Sequence, residues 1–93
     1  MRILAIDDNQ DNLTALQAVV SDRLPEATVL TALNGPDGLD LARAEDPDVV
    51  LLDIVMPGMD GYEVCRGLKA DPVLQAIPVL FLTANRTDRA SRV

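Results

Sequence analysis

The sequence contains no histidine and no tryptophan, and only one cysteine, one tyrosine and one phenylalanine among its 93 residues. Without histidine, Ser-His-Asp and Cys-His catalysis and the usual zinc sites are excluded for this segment. The single cysteine, Cys65, cannot form an intramolecular disulfide, and we interpret it as a small buried apolar residue. Any chemistry in this chain must therefore rely on carboxylates, hydroxyls and a bound cation.

Basic residues and long apolar runs are also scarce. There are 8 lysines and arginines against 15 acids, which gives a net charge of −7. This charge argues against nucleic acid or an anionic membrane as a partner of this segment. No apolar run approaches the roughly 18 residues of a membrane span, and no signal peptide is visible. We therefore expect one small cytoplasmic domain with an aliphatic core.

Four short apolar segments predict strands, and the segments between them predict helices. The predicted strands cover residues 2–6, 27–32, 49–53 and 77–83. The predicted helices run from a cap at Asp8 or Asn9 to Leu24, from Pro36 to about Ala44, and from Gly61 to Ala70 after a cap at Asp60. In the first helix, Leu13, Leu16, Val20 and Leu24 follow the 3.6-residue period of one buried face.

The order of these elements alternates strictly between strand and helix, with short links. Such an order predicts parallel strands with right-handed helical crossovers, which is an α/β layered sheet. The third strand is apolar on both faces, as is typical of a strand inside such a sheet. The second strand mixes threonines with apolar residues, which suits a sheet edge.

Polar residues of the kinds that bind metals or take part in catalysis follow three of the predicted strands. Asp7 and Asp8 come after the first strand, Asp53 ends the third, and Thr83 ends the fourth. With the first and third strands adjacent, these groups meet in the crevice at the carboxyl ends of the strands. Two carboxylates about 4 Å apart repel by roughly 4 kcal/mol at an effective dielectric of 20. The cluster therefore requires protons or a cation, and oxygen ligands alone favour Mg²⁺ or Mn²⁺.

A cation in this cluster makes Asp53 a candidate nucleophile toward a phosphoryl group, to which Thr83 would donate a hydrogen bond. Simpler interpretations stand beside this one. Asp8 or Asn9 can be a helix cap only, and Thr83 can be an ordinary strand end. Asp60 is a cap more readily than a ligand. The joint arrival of the acids at one edge of one sheet favours the functional interpretation.

Two other sites that use aspartate are excluded by the sequence. A calcium loop beginning at Asp7 fails because Asn12 replaces the turn glycine and Ala18 replaces the bidentate glutamate. A phosphatase of the haloacid dehalogenase type needs a second acid two residues after its nucleophile, and here that position is Val55. An enzyme with turnover is therefore the least favoured function, and we expect none.

Three motifs together carry a family resemblance. They are Asp7-Asp8, Asp53-Ile54-Val55-Met56-Pro57-Gly58-Met59-Asp60-Gly61 and Ile77-Pro78-Val79-Leu80-Phe81-Leu82-Thr83-Ala84. With these motifs at these spacings, the sequence resembles the receiver domain of bacterial two-component response regulators over its whole length. The resemblance implies a flavodoxin-like, doubly wound parallel sheet.

The resemblance also implies roles for individual residues. Asp53 would accept a phosphoryl group from a phosphohistidine on a sensor histidine kinase or a phosphotransfer protein. Asp8, Asp53 and the backbone carbonyl of Val55 would bind Mg²⁺, or alternatively Mn²⁺, and Asp7 would assist in part through water.

At the fourth strand, Thr83 would be the switch hydroxyl, and the small Ala84 would leave room for the phosphoryl group. An output domain beyond Val93 would fit the family. A second function stays open, namely a receiver-like interaction module that is not phosphorylated.

The family's fold continues into a fourth helix, a fifth strand that ends in a lysine, and a fifth helix. Because residues 1–93 stop soon after the fourth strand, we expect a receiver domain that is incomplete at its C-terminus, with strand order 2-1-3-4. The fourth strand would then be an exposed apolar edge, through which the chain would associate with itself. The sequence leaves open whether the domain continues beyond Val93.

Overall fold

The structure is a computed structural model that describes residues 1–54, 56 and 58–82. The elements are β1 (Arg2–Ile6), α1 (Gln10–Arg23), β2 (Thr28–Ala32), α2 (Gly35–Glu45), β3 (Val49–Asp53), α3 (Gly61–Ala70) and β4 (Val79–Leu82). The predicted alternation of strands and helices is confirmed in this part of the chain. The predictions that concern Val55, Thr83 and Ala84 fall outside the described residues.

The four strands form one parallel sheet in the order β2-β1-β3-β4, as predicted. The two central strands end level with each other, because Ile6 of β1 lies opposite Leu52 of β3. The residues that follow this pair, Asp7 and Asp53, therefore lie next to each other at the carboxyl end of the sheet. The register of the two strands thus determines which acids meet.

The core that fixes this register lies between the sheet and the helices α2 and α3. It includes Leu4, Ile6, Ala42, Val50, Leu52, Val64 and Leu68, all with 0% exposure. Burial of one such leucine, isoleucine or valine contributes about 1.5–3 kcal/mol. A shift of β1 against β3 by one residue would turn these side chains away from the helices, so the core resists such a shift.

Asn9 is the N-cap of helix α1, which decides between the two predicted caps. The Asn9 side chain accepts a hydrogen bond from the backbone N–H of Asn12 at 3.1 Å. Leu13 and Val20 are buried as predicted. The prediction for Leu24 was wrong, because this residue is the C-cap, outside the helical turn, and 49% of it is exposed.

Helix α3 has the predicted bounds, Gly61–Ala70, and the predicted cap, Asp60. A capping box closes its first turn, because Asp60 accepts from the backbone N–H of Glu63 and the Glu63 carboxylate accepts from the backbone N–H of Asp60. Cys65 is partly buried against the core. Among the described residues, no helix has the length and apolar character that a membrane crossing requires.

Strand β4 begins at Val79, two residues later than predicted. Ile77 still belongs to the preceding turn, where its backbone N–H donates to the carbonyl of Leu74 at 3.0 Å, and Pro78 has no N–H to offer a neighbouring strand. Strand β4 is the outer strand of the described sheet, and Leu80 on it is 57% exposed. Self-association through this edge stays a prediction.

Candidate functional site

Three carboxylates meet at the carboxyl end of the sheet, from Asp7, Asp8 and Asp53. One oxygen from each lies within 4.8 Å of the others. Asp7 and Asp53 are 2% and 5% exposed, whereas Asp8 is open to solvent. The sequence predicted this convergence, and the aligned ends of β1 and β3 produce it. Two of the three acids are thus buried, and the third is exposed.

Neutral donors hold the buried carboxylate of Asp7. Its Oδ1 accepts from the backbone N–H of Asn9 at 3.0 Å, and its Oδ2 accepts from the side-chain amide of Asn12 at 3.1 Å. The backbone N–H of Asp7 donates to the carbonyl of Ala32 at the end of β2. Sequence analysis missed Asn12 as part of the site. The available signal was its place in the first turn of α1, three residues after the cap.

The start of helix α3 packs closely against the end of β3. The backbone N–H of Gly61 donates to the carbonyl of Ile54 at 2.7 Å. A Cβ at Gly61 would lie 2.5 Å from the carbonyl oxygen of Asp53 and 2.7 Å from the Cα of Ile54. Both are backbone atoms that cannot swing aside, so glycine is required for α3 to approach Asp53 this closely.

The electrostatics of the cluster favour a bound cation. Two carboxylates separated by 4.8 Å, the limit of this cluster, repel by about 3 kcal/mol at an effective dielectric of 20. A divalent cation between them turns this repulsion into attraction. The donor set consists of carboxylate oxygens without nitrogen or sulfur, which fits Mg²⁺ or Mn²⁺ and not a softer metal. The residues that the structure brings together therefore suit the predicted cation.

Comparison with known proteins identifies the family. Residues 3–92 match the response regulator receiver domain. This match covers nearly all of the 93 residues, so the chain belongs to that family, the phosphorelay receivers of two-component systems. The resemblance found in the three sequence motifs is thereby confirmed. Binding of Mg²⁺ is typical of the family.

Individual relatives support the same assignment. The chain is 47% identical over 90 residues to the response regulator PleD of Caulobacter vibrioides, covering 95% of this chain and 19% of PleD. It is 46% identical over 82 residues to the protein PilH of Pseudomonas aeruginosa, covering 88% of this chain and 66% of PilH. The chain thus spans about a fifth of PleD and about two thirds of PilH.

Solved structures confirm the fold. The N-terminal domain of a response regulator receiver protein from Methanoculleus marisnigri superimposes with a TM-score of 0.81 at 32% identity, covering 97% of this chain and 76% of that one. The chemotaxis protein CheY4 of Vibrio cholerae superimposes with a TM-score of 0.79 at 22% identity, covering 98% of this chain and 78% of that one. The flavodoxin-like parallel sheet in the order 2-1-3-4 is therefore established.

Proposed function

We propose that this chain is a phosphoacceptor in which Asp53 receives a phosphoryl group in a reaction that depends on Mg²⁺. The donor is a phosphohistidine on a sensor histidine kinase or on a phosphotransfer protein. One observation carries the proposal: the carboxylate oxygens of Asp7, Asp8 and Asp53 lie within 4.8 Å of one another at the carboxyl edge of the sheet. A phosphoryl donor of this kind is made from ATP, so we expect the reaction in the cytoplasm.

Asp53 acts as the nucleophile. One of its carboxylate oxygens forms a bond to phosphorus while the bond between phosphorus and the imidazole nitrogen of the donor breaks. The nitrogen keeps the electron pair, and the product on Asp53 is an acyl phosphate. Pairing of β3 with β1 and β4 fixes the backbone of Asp53, so the carboxylate is held in place before the donor arrives.

Asp7 and Asp8 hold the cation together with Asp53, and the backbone carbonyl of Val55 completes this ligand set by analogy with the family. The cation supplies positive charge that offsets the charges of the acceptor carboxylate and of the phosphoryl oxygens. Asp8 is exposed and Asp7 is buried, so the solvent side of the cluster is the side from which the donor approaches.

Thr83 is proposed as the hydroxyl that responds to the acyl phosphate by donating a hydrogen bond to it. Ala84 is proposed as the small neighbour that leaves the phosphoryl group room. Both roles rest on the resemblance in the motif that ends in Thr83-Ala84. Output domains in relatives such as PleD belong to those proteins, and we propose that an output element acts downstream of Asp53 here as well.

The test is phosphorylation by acetyl phosphate in the presence of Mg²⁺, followed by intact-mass measurement of the natural polypeptide that contains residues 1–93. We expect a gain of one phosphoryl group, which EDTA prevents. Asp53→Asn removes the nucleophile and should abolish the gain. The matched control is Asp48→Asn, which neutralises an aspartate at the other end of β3 and should leave the gain intact.

Two results would contradict the proposal. A mass gain that persists in Asp53→Asn would place the phosphoryl group on another residue. No gain in the wild-type protein with Mg²⁺ present would favour the second candidate, a receiver-like module that acts by protein contact without phosphorylation.

A further inference from the structure

We propose that Asn12 is a positioning residue of the divalent-cation site, because its side-chain amide fixes the orientation of the Asp7 carboxylate. This inference rests on the proposed function, in which Asp7 helps to hold the cation. Asn12 itself is not a ligand. It lies in the first turn of α1, and its amide nitrogen is 3.1 Å from Oδ2 of Asp7.

The identity of the donor in this contact follows from chemistry. An ionised carboxylate only accepts hydrogen bonds, so the Asn12 amide must present its NH₂ group to Asp7. The other carboxylate oxygen, Oδ1, accepts from the backbone N–H of Asn9 at 3.0 Å. The acceptor side of both bonds is buried, because Asp7 is 2% exposed, whereas the donor residues Asn9 and Asn12 are exposed. A rotation of the Asp7 side chain would break both bonds at once.

These contacts close a ring of three residues. The Asn9 side chain accepts from the backbone N–H of Asn12 at 3.1 Å, the Asn12 side chain donates to Asp7, and Asp7 accepts from the backbone N–H of Asn9. The first turn of α1 and the Asp7 carboxylate are therefore positioned as one unit. Any disturbance of the Asn12 side chain is transmitted to the carboxylate that faces the cluster.

A neutral donor suits this position better than a cation would. A lysine or arginine bonded to Asp7 would offset the charge of the carboxylate and repel a metal ion. The amide leaves the full negative charge in place. It also uses one lone pair of Oδ2, and the two carboxylate oxygens offer about four acceptor sites in all. Asp7 can thus keep both bonds and still accept the cation or a water bound to it.

The consequence is a preorganised site, in which the cation does not have to order Asp7 as it binds. Some groups hydrogen-bond to a metal ligand and so fix its orientation. Removal of such a group typically lowers metal affinity by 10- to 100-fold. We therefore expect Asn12→Leu to raise the dissociation constant for Mg²⁺ by about 10-fold or more. Leucine has nearly the same shape, lacks the donor and forms helices more readily than asparagine, so α1 is retained.

The matched control is Gln10→Leu, which removes a side-chain amide from the same turn of α1. The Gln10 amide donates to the hydroxyl of Thr14 at 3.4 Å and not to the cluster. Titration calorimetry with Mg²⁺ alone should show wild-type affinity for this variant. In the acetyl phosphate reaction, Asn12→Leu should need more Mg²⁺ for its half-maximal rate while the rate at saturating Mg²⁺ stays near that of the wild type.

The outcomes separate this inference from the proposed function. Equal Mg²⁺ affinity of Asn12→Leu and wild type overturns the role of Asn12 and leaves the phosphoacceptor standing. No Mg²⁺ binding by the wild type overturns both. A measurement on the wild type alone covers the case in which the variant does not fold. The side-chain amide protons of Asn12 should exchange with solvent more slowly than those of Gln10, and equal exchange rates would overturn the inference.

Discussion

At the amino edge of the sheet the acids Glu45, Asp48 and Asp71 contact arginine residues, whereas at the carboxyl edge three acids lie together. At the amino edge, where β1, β3 and β4 begin and α2 and α3 end, the backbone N–H of Arg2 donates to Asp48 at 2.7 Å. The Arg2 guanidinium donates to the carbonyl of Glu45 at 2.7 Å and reaches the Glu45 carboxylate at 3.4 Å. Each acid in this group has a donor beside it.

The turn after α3 continues this pattern of paired charges at the amino edge. The Asp71 carboxylate accepts from the backbone N–H of Val73 at 2.8 Å and from Arg43 at 3.3 Å. The hydrogen bond from Val73, followed by the hydrogen bond and charge of Arg43, lowers the pKa of Asp71 below the ordinary aspartate value. This acid is therefore stabilised in its charged form by the fold itself.

At the carboxyl edge, Asp7 and Asp8 form no ion pair with a lysine or arginine in the part of the chain that the structure describes. The donors to Asp7 are the neutral groups of Asn9 and Asn12. The two edges thus differ in their charge arrangement. The acids of the amino edge contact arginine residues, whereas the three carboxylates of the carboxyl edge lie within 4.8 Å of one another, close enough to repel.

The largest expected effect is stabilisation by Mg²⁺. A ligand that binds only the folded state at 100 times its dissociation constant adds about 2.7 kcal/mol to the free energy of unfolding. We expect this gain in urea denaturation of the wild type, because the three acids of the carboxyl edge lie close together only in the folded chain. Asp8→Asn should lose most of the gain and Asp48→Asn should keep it. An equal gain in both variants would erase the proposed difference between the edges.

The next effect concerns the approach of α3 to Asp53. Gly61→Ala should lower the free energy of unfolding by about 1–3 kcal/mol, because the added methyl group meets backbone atoms that are already packed. Gly67→Ala in the same helix is the control. There the methyl group meets only the Leu39 side chain, at 3.1 Å, and the helix gains up to about 1 kcal/mol from the better propensity of alanine. Equal losses in thermal denaturation would contradict this account.

Removal of one acid without metal should change stability in opposite directions at the two edges. Asp8→Ala relieves repulsion within the cluster and should raise the free energy of unfolding by about 1 kcal/mol. Asp48→Ala removes the acceptor for the Arg2 backbone N–H and should lower it by about 1 kcal/mol. Denaturation in EDTA measures both values. Changes of the same sign would show that the carboxyl edge is not strained.

The smallest effect is the pH dependence that Asp71 contributes. Because the pKa of Asp71 is lowered in the folded state, its contribution to stability is fully present above the unfolded value, about 3.9. It is lost as the pH falls through the lower folded value. The difference in the free energy of unfolding between wild type and Asp71→Asn should therefore be constant at neutral pH and shrink at acid pH. A difference that grows on acidification would contradict this assignment.

The sequence predicted the features that local patterns determine. An apolar run followed by an aspartate placed Asp53 at the end of β3, and the Asp60 cap gave α3 its first residue. The place of Asp7 beside Asp53 followed from parallel pairing of β1 and β3. These predictions succeeded because each depends on the strand or helix period and on one short stretch of chain.

Other features depend on contacts that no single stretch contains. The bond between Asn12 and Asp7 needs the angle at which α1 leaves the sheet, which the helix period does not specify. Leu24 fits the buried face by periodicity, yet the helix ends one residue earlier and turns it toward solvent. The late start of β4 results from Pro78 and from the turn before it.

Lys69 ties the end of α3 to the segment that leads into β4. It is the only lysine of the sequence, and its ammonium group donates to the carbonyls of Gln75 and Ile77 at 3.1 and 2.9 Å. Acetylation of this lysine would remove the positive charge that strengthens both bonds. A modification on the third helix would therefore loosen the approach to the outer strand without touching Asp53.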